Sequence, residues 1–171
     1  MIHDFTSNLR ELKDYRQQFI LVPAKWRAFA PAQQLDWKFT RFSPDSLDDI
    51  PAERGIYALV IQFQDHSVLP QVLPTHGYIM YGGITGHEAK NRTLRARFSD
   101  YLREKRRAKR HRIWWLLNTW SEDLFFHYST VGADTDLRAL ELALNDAIMP
   151  PYVENDFSAE VRRLVRVLRA N

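Results

Sequence analysis

A carboxylate, an arginine and a set of tyrosines stand out in this chain because of where they fall. Glu141 lies within a run whose apolar members are Leu137, Leu140, Leu144 and Ile148. At 3.6 residues per turn it points within about 40° of Leu137, at the edge of a core-facing stripe. A carboxylate there is costly unless it is paired or holds a metal ion; a salt bridge to a core-edge arginine answers that cost as readily as a divalent cation. Arg97 occupies the matching position on its own helix, about 40° from Tyr101, on the shoulder of an apolar face made by Leu94, Phe98, Tyr101 and Leu102. Gathered around one cleft with a divalent ion, such groups could cleave a phosphodiester. Arginine would neutralise phosphate charge, the carboxylate would hold the metal and a phenol would move the proton.

The charge distribution points to the same class of partner. Ten basic residues lie between Arg92 and Arg112, opposed only by Asp100 and Glu104, so this segment carries +8 and the rest of the chain −5. A basic block on an otherwise acidic chain must tolerate strong self-repulsion, which a polyanionic partner would relieve. Arg95, Arg103, Lys105, Arg106, Arg107, Lys109, Arg110 and Arg112 are therefore candidate phosphate contacts, able to bind DNA or RNA without reading bases. A weaker copy occurs near the C-terminus, where Arg162, Arg163, Arg166 and Arg169 form one helical stripe beside Val161, Leu164, Val165 and Leu168. An ordinary surface helix has the same pattern.

Other chemistries have little support. The 171 residues include no cysteine, which excludes a disulfide scaffold, a thiol nucleophile and Cys-ligated zinc or iron–sulfur sites. The six histidines form neither an HxH nor an HExxH spacing, and His87 reads as a loop residue just beyond a glycine cluster. That cluster, Gly82-Gly83-Ile84-Thr85-Gly86, lacks the Gly-Lys-Ser/Thr ending of a phosphate loop and the Rossmann spacing. No Gly-x-Ser-x-Gly elbow is present. No apolar run approaches the ~20 residues of a membrane span, and Met1-Ile2-His3-Asp4-Phe5 is not a signal-peptide start, so a cytoplasmic protein without a membrane partner is expected.

Hydrophobic spacing predicts the elements that would carry these residues. A helix is expected over Ser7 to about Leu21, then an ordered extension to residue 50 that packs through Trp26, Phe29, Trp37 and Phe39. Gly55 to Ile61 reads as a buried strand, 64–76 as a long loop with Pro70 and Pro74, and Tyr78 to Tyr81 as a second strand ended by Gly82-Gly83. A helix from about Thr93 to Ala108, an ambiguous apolar stretch Ile113 to Leu117 and a third strand Leu124 to Val131 follow. A further helix carries Leu137 to Ile148, capped near Asp134 or Thr135 and stopped by Pro150-Pro151. The expected fold is α/β of the α+β type, a small, mainly antiparallel sheet of about three strands flanked by helices. Its parts are an extension (1–50), a central domain (51–157) and a basic amphipathic C-terminal helix (158–171).

In order along the chain, these residues resemble the GIY-YIG nuclease family. Gly55-Ile56-Tyr57 is the first half of that name, and Tyr81-Gly82-Gly83 is similar to the second with its middle residue changed. Leu94 to Tyr101 resembles the family helix that bears the essential arginine, with an aromatic residue or histidine one turn on. Leu140-Glu141 with Pro150 matches the metal-binding glutamate and its following proline, and Asn155 resembles the asparagine that closes the set. The likeness runs from about residue 54 to 157. Four departures stand out: the loop between Tyr57 and Tyr81 is long, glycine replaces an aliphatic residue at 82, Ile84 stands where some members have lysine, and Asn155 comes about two residues late.

The resemblance implies a metal-dependent endonuclease that hydrolyses DNA at one Mg²⁺ or Mn²⁺ ion. Glu141 would hold the metal, Arg97 would stabilise the phosphate and Tyr57 or Tyr81 would be the general base, with Tyr101 and Asn155 completing the site. One such site cuts one strand, so double-strand scission would take a homodimer or two successive events. The same residues on the same fold could instead form a nucleic-acid-binding module with weak or lost catalysis, or a surface for an acidic protein.

Overall fold

The structure is a computed structural model that describes residues 16–20, 22–29, 34–62, 77–87 and 92–170. It is an α+β fold in which helices cover both faces of a four-stranded antiparallel sheet. Helix α1 spans Pro23–Ala28 and strand β1 spans Lys38–Arg41; a 3₁₀ turn, Pro44–Ser46, leads on to β2, Gly55–Gln62, and β3, Gly77–Thr85. Helices α2, Leu94–Arg107, and α3, His111–Thr119, precede β4, Leu124–Thr130; helices α4, Leu137–Ile148, and α5, Ala159–Arg169, complete the order. The strand order is β1-β4-β2-β3.

Strand β2 lies inside the sheet, and its unbroken apolar run follows from cover on both sides. Tyr57, Leu59 and Ile61 face a core with Phe98 and Tyr101 of α2 and Ile113, Leu116 and Leu117 of α3. Ile56 faces Leu140, Leu144 and Ala147 of α4, with Phe29 after α1. A strand covered on one face alternates apolar with polar residues; one covered on both cannot. Edge-to-face contacts of Phe98 with Phe42 and Phe126, each with ring centroids 5.1 Å apart, lock α2 against the sheet.

Several expectations need correction. The sheet has four strands rather than about three, because residues 38–41 of the extension pair with β4, Lys38 opposite Tyr128 and Arg41 opposite Phe125. Of the four extension aromatics expected to pack, Phe29 is buried and Trp37 packs in the α4-side core, but Trp26 (46%) and Phe39 (54%) are exposed. The second strand continues through Gly82 and Gly83 instead of stopping there. Both glycines make room: a Cβ on Gly83 would meet the Tyr57 hydroxyl at 2.5 Å, and one on Gly82 would meet Asn145 Oδ1 at 2.5 Å. The ambiguous stretch at 113–117 is helical, within α3. The cap of α4 is Asp136, whose carboxylate accepts from the N–H groups of Arg138 and Ala139 at 3.0 and 3.1 Å. The helix expected over Ser7 to Leu21 falls mostly outside the described residues, and 16–20 are not helical. The expected loop 64–76 also lies outside them.

One irregularity in the sheet bears on the site. Tyr81 pairs with Leu59 while Ile79 pairs with Val60, which leaves Met80 as an extra residue, a β-bulge. The bulge turns Tyr81 to the Tyr57 side of the sheet, whereas Ile79 lines an apolar cavity beside Trp26, Phe29 and Ile148.

Candidate active site

A cavity of about 450 Å³ lies beside the edge strand β3, where α2 and α4 approach from opposite faces of the sheet. Tyr57, Tyr81, Arg97 and Glu141 all line it, with Arg92, Arg110, Arg138 and Asp156. Four residues singled out in sequence, spread over 85 positions, therefore meet in one hollow. Tyr101 lies behind Tyr57 rather than on the cavity wall: it is fully buried and its hydroxyl lies 2.9 Å from that of Tyr57. The three tyrosine rings form a triangle with centroids 5.8 to 6.4 Å apart.

Helix α2 aims Arg97 by burying Leu94, Phe98 and Tyr101 around it. The guanidinium makes no hydrogen bond or ion pair with any described residue, and its Nε is sealed from water without a partner. The neighbouring Tyr57 chiefly holds it more firmly protonated than a free arginine. A desolvated cation with open donors is an anion site in waiting.

Glu141 is buried, 5% exposed, between Leu137, Leu140 and Leu144 on α4. It has the partner that a core-edge carboxylate needs. Arg138, one turn earlier, donates from Nη1 to Glu141 Oε2 at 2.5 Å and to Asp156 Oδ1 at 3.0 Å, so one nitrogen serves two carboxylates. Even so, burial and the charge on Asp156 raise the Glu141 pKa above the usual carboxylate value, against Arg138 and the Ile84 backbone, which lower it. Arg138 and the Ile84 backbone thus offset only part of the cost of burying this carboxylate beside Asp156.

All three phenols are held well above the ordinary tyrosine pKa. Burial is the main cause for Tyr57 and Tyr101; for Tyr81 it is the neighbouring Tyr101, then burial. Arg97 and the hydrogen bond from Tyr101 pull Tyr57 back down.

Asp156 is positioned by residues that the sequence reading passed over. Asn145, fully buried on α4, donates from Nδ2 to the Asp156 carbonyl at 3.0 Å, and Asp146 accepts from the Ser158 N–H at 2.9 Å. Arg138 could have been found from its spacing of three residues from Glu141. Nothing local marks Asp156. Asn155 is exposed and lines an adjoining cleft with Tyr152 and Glu154, not this cavity.

The basic segment divides into two groups. Arg95 donates to the Ile50 and Asp48 carbonyls at 2.7 and 3.1 Å, and Arg112 donates to Glu154 at 2.6 Å and the Pro151 carbonyl at 2.9 Å; both tie loops down. Arg103 pairs with Asp100, and Arg110 stands over the Tyr101 ring, 5.2 Å from its centroid, with Glu104 3.9 Å away. Lys105, Arg106, Arg107 and Lys109 have no side-chain partner among the described residues.

No protein-family model, curated protein or solved structure matches this chain. Among the described residues there is no cluster of three or more His, Cys, Asp or Glu side chains, and no helix is long and apolar enough to cross a membrane. Mg²⁺ does not need such a cluster: it keeps several waters and is commonly held by one or two carboxylates plus substrate phosphate. Glu141, with Asp156 sharing its arginine, fits that mode.

Proposed function

We propose that this chain is a metal-dependent phosphodiester hydrolase acting on DNA, with an active site of the GIY-YIG kind. The observation that carries the reading is Arg97, a partly buried cation whose side chain has no hydrogen-bond partner among the described residues, facing the same cavity as buried Glu141 and the Tyr57 phenol. Arg97 and Arg110 bind and orient the phosphate, and Arg97 neutralises the charge that grows on its oxygens as the attacking water adds. Glu141, with Asp156 beside it, would hold Mg²⁺ or Mn²⁺, and the ion would supply positive charge to polarise the phosphate and stabilise the leaving oxygen. Tyr57 is the better-supported general base, because Arg97 and the Tyr101 hydroxyl both pull its raised pKa back down, and a metal ion bound at Glu141 would lower it further. Tyr101 orients that phenol, and Tyr81 closes the cavity wall.

The test is cleavage of plasmid and short branched DNA in Mg²⁺ or Mn²⁺, wild type against Glu141→Ala. Metal-dependent nicking or linearisation that drops at least ~100-fold in the variant is the expected outcome. Cleavage that survives the substitution would sink the assignment of Glu141.

A second reading has one observation in its favour. Arg138 already engages Glu141 at 2.5 Å, so the carboxylate is not bare, and a binding module with weak or lost catalysis would have such a pair. Salt-dependent DNA binding without cleavage in either metal would favour it.

A further inference from the structure

The cavity that contains Arg97 does not end at the cluster just described. A second hollow, of about 430 Å³, opens between the C-terminal half of α2 and the start of α3, and Arg97 and Arg110 belong to both. Its remaining walls are Asp100, Arg103, Glu104, Arg107 and Lys109, so five cations face two carboxylates. Those carboxylates are already taken: Asp100 pairs with Arg92 and Arg103, and Glu104 accepts from the Arg110 N–H at 2.5 Å. Arg107 and Lys109 are exposed and have no partner among the described residues. The left-handed Ala108 ends α2 between them (φ 51°), so the chain turns there and Lys109 comes to the same hollow as Arg107.

A second adjoining hollow differs in charge. The adjoining cleft beyond Tyr81 is lined by Glu154 and Asp156 against Arg110 and Arg112, with Arg112 held by Glu154 and the Pro151 carbonyl. Cations in excess lie on one side only.

We infer that a DNA strand runs from the Arg97–Glu141 cavity into the α2–α3 hollow, where Arg107 and Lys109 bind the phosphate next to the one over Arg97. The inference deepens the hydrolase reading and rests on it for the phosphate at Arg97. It narrows the basic segment to the residues that lie on the strand: Arg95 and Arg112 brace the fold, and the arginines of α5 are off the path. The substrate is then a continuous strand with a phosphate flanking the scissile one, not an isolated phosphodiester.

Binding of the full chain to a short fluorescein-labelled DNA duplex, followed by anisotropy in EDTA over a range of salt, tests the path. Arg107→Ala/Lys109→Ala should weaken binding ~10-fold or more at low salt and reduce the slope of log K against log[salt] by about 1, near 0.9 for the lost phosphate contact. Arg163→Ala/Arg166→Ala, on α5, should keep the wild-type slope. Circular dichroism and a thermal melt establish that both variants fold. An unchanged slope in the first variant overturns the path, and so does an equal fall in the second. A wild-type chain that ignores DNA but binds polyglutamate overturns it too, in favour of an acidic protein partner. Because binding is read without metal, the two claims fail separately. Glu141-dependent cleavage with an unaltered slope rejects the path and keeps the hydrolase. A reduced slope without cleavage in any metal keeps the path and rejects the hydrolase.

Discussion

Helices α2 and α5 look alike as sequences. Each places arginines beside an apolar stripe and docks by it, α2 through Leu94, Phe98 and Tyr101 and α5 through Val161 and Val165, with Leu164 and Leu168 left exposed. They differ in what the arginines touch. On α5, Arg162 donates to the Phe157 carbonyl at 3.0 Å, and Arg169 reaches the Val153, Pro150 and Met149 carbonyls at 2.7, 2.8 and 3.3 Å. Those last acceptors follow the C-terminus of α4, where a cation also meets the negative end of the helix dipole. On α2, Arg97 and Arg107 have no such partner among the described residues and line the two joined hollows, whereas Arg163 and Arg166 of α5, equally without a partner there, line neither. Charge density alone does not separate a scaffold from a binding surface; open donors that face a shared hollow do.

The sharpest way to break this contrast is to remove one arginine from each helix. Arg97→Ala should lower the rate of DNA cleavage by ~10²–10³, as for loss of one transition-state donor, with no loss of thermal stability. A melting temperature that fell with activity would return Arg97 to the scaffold. Arg169→Ala should do the reverse. It strands acceptors around buried Met149 and Val153 and should cost ~1–3 kcal/mol, a fall of several degrees in a thermal melt, while DNA affinity is kept. Arg95 sharpens the rule from within α2 itself, since its bonds to the Ile50 and Asp48 carbonyls assign Arg95→Ala to the destabilised class.

A smaller effect should appear near the alkaline limit, from the tyrosine cluster beneath α2. The folded-state pKa values of Tyr57, Tyr81 and Tyr101 lie above the unfolded value near 10, so the folded protein keeps protons that the unfolded chain releases. Their contribution is complete below about pH 10 and is lost as pH rises toward the folded-state values. Thermal melts should therefore be flat with respect to these groups up to about pH 10 and decline above it. Phenolate absorbance from the three should appear only with unfolding; early ionisation of all the tyrosines would show the cluster to be open to water.

Much of the architecture was legible because it rests on local periodicity. β2 announced itself through an unbroken apolar run, and α2 and α4 through stripes that also fixed the directions of Arg97 and Glu141. The misses share a cause. β1 is a mostly exposed edge strand whose only claim to be a strand is its pairing with distant β4, which no local pattern encodes. Asp156 reaches the cavity because Asn145 and Asp146 hold its loop, again a contact between separate elements. Gly82 looked like a lost aliphatic residue; only the structure reveals the Asn145 side chain in the space that an aliphatic group would fill.

The extra residue in β3 carries a consequence of another kind. A strand is a two-sided counter, and Met80 advances the count by one, so residues before it and after it answer to opposite sides of the sheet. Which side Tyr81 serves is therefore set by the length of β3 rather than by its composition. Replacing Met80 with another apolar residue preserves the count. Deleting it would make Ile79 and Tyr81 neighbours in a regular ladder, still opposite Val60 and Leu59 and still on opposite sides; removing a residue on either flank while the bulge remained would instead exchange sides for the residues beyond. In this protein the side that Tyr81 takes is a matter of parity, and the bulge is the one point in β3 where a residue can be lost without changing it.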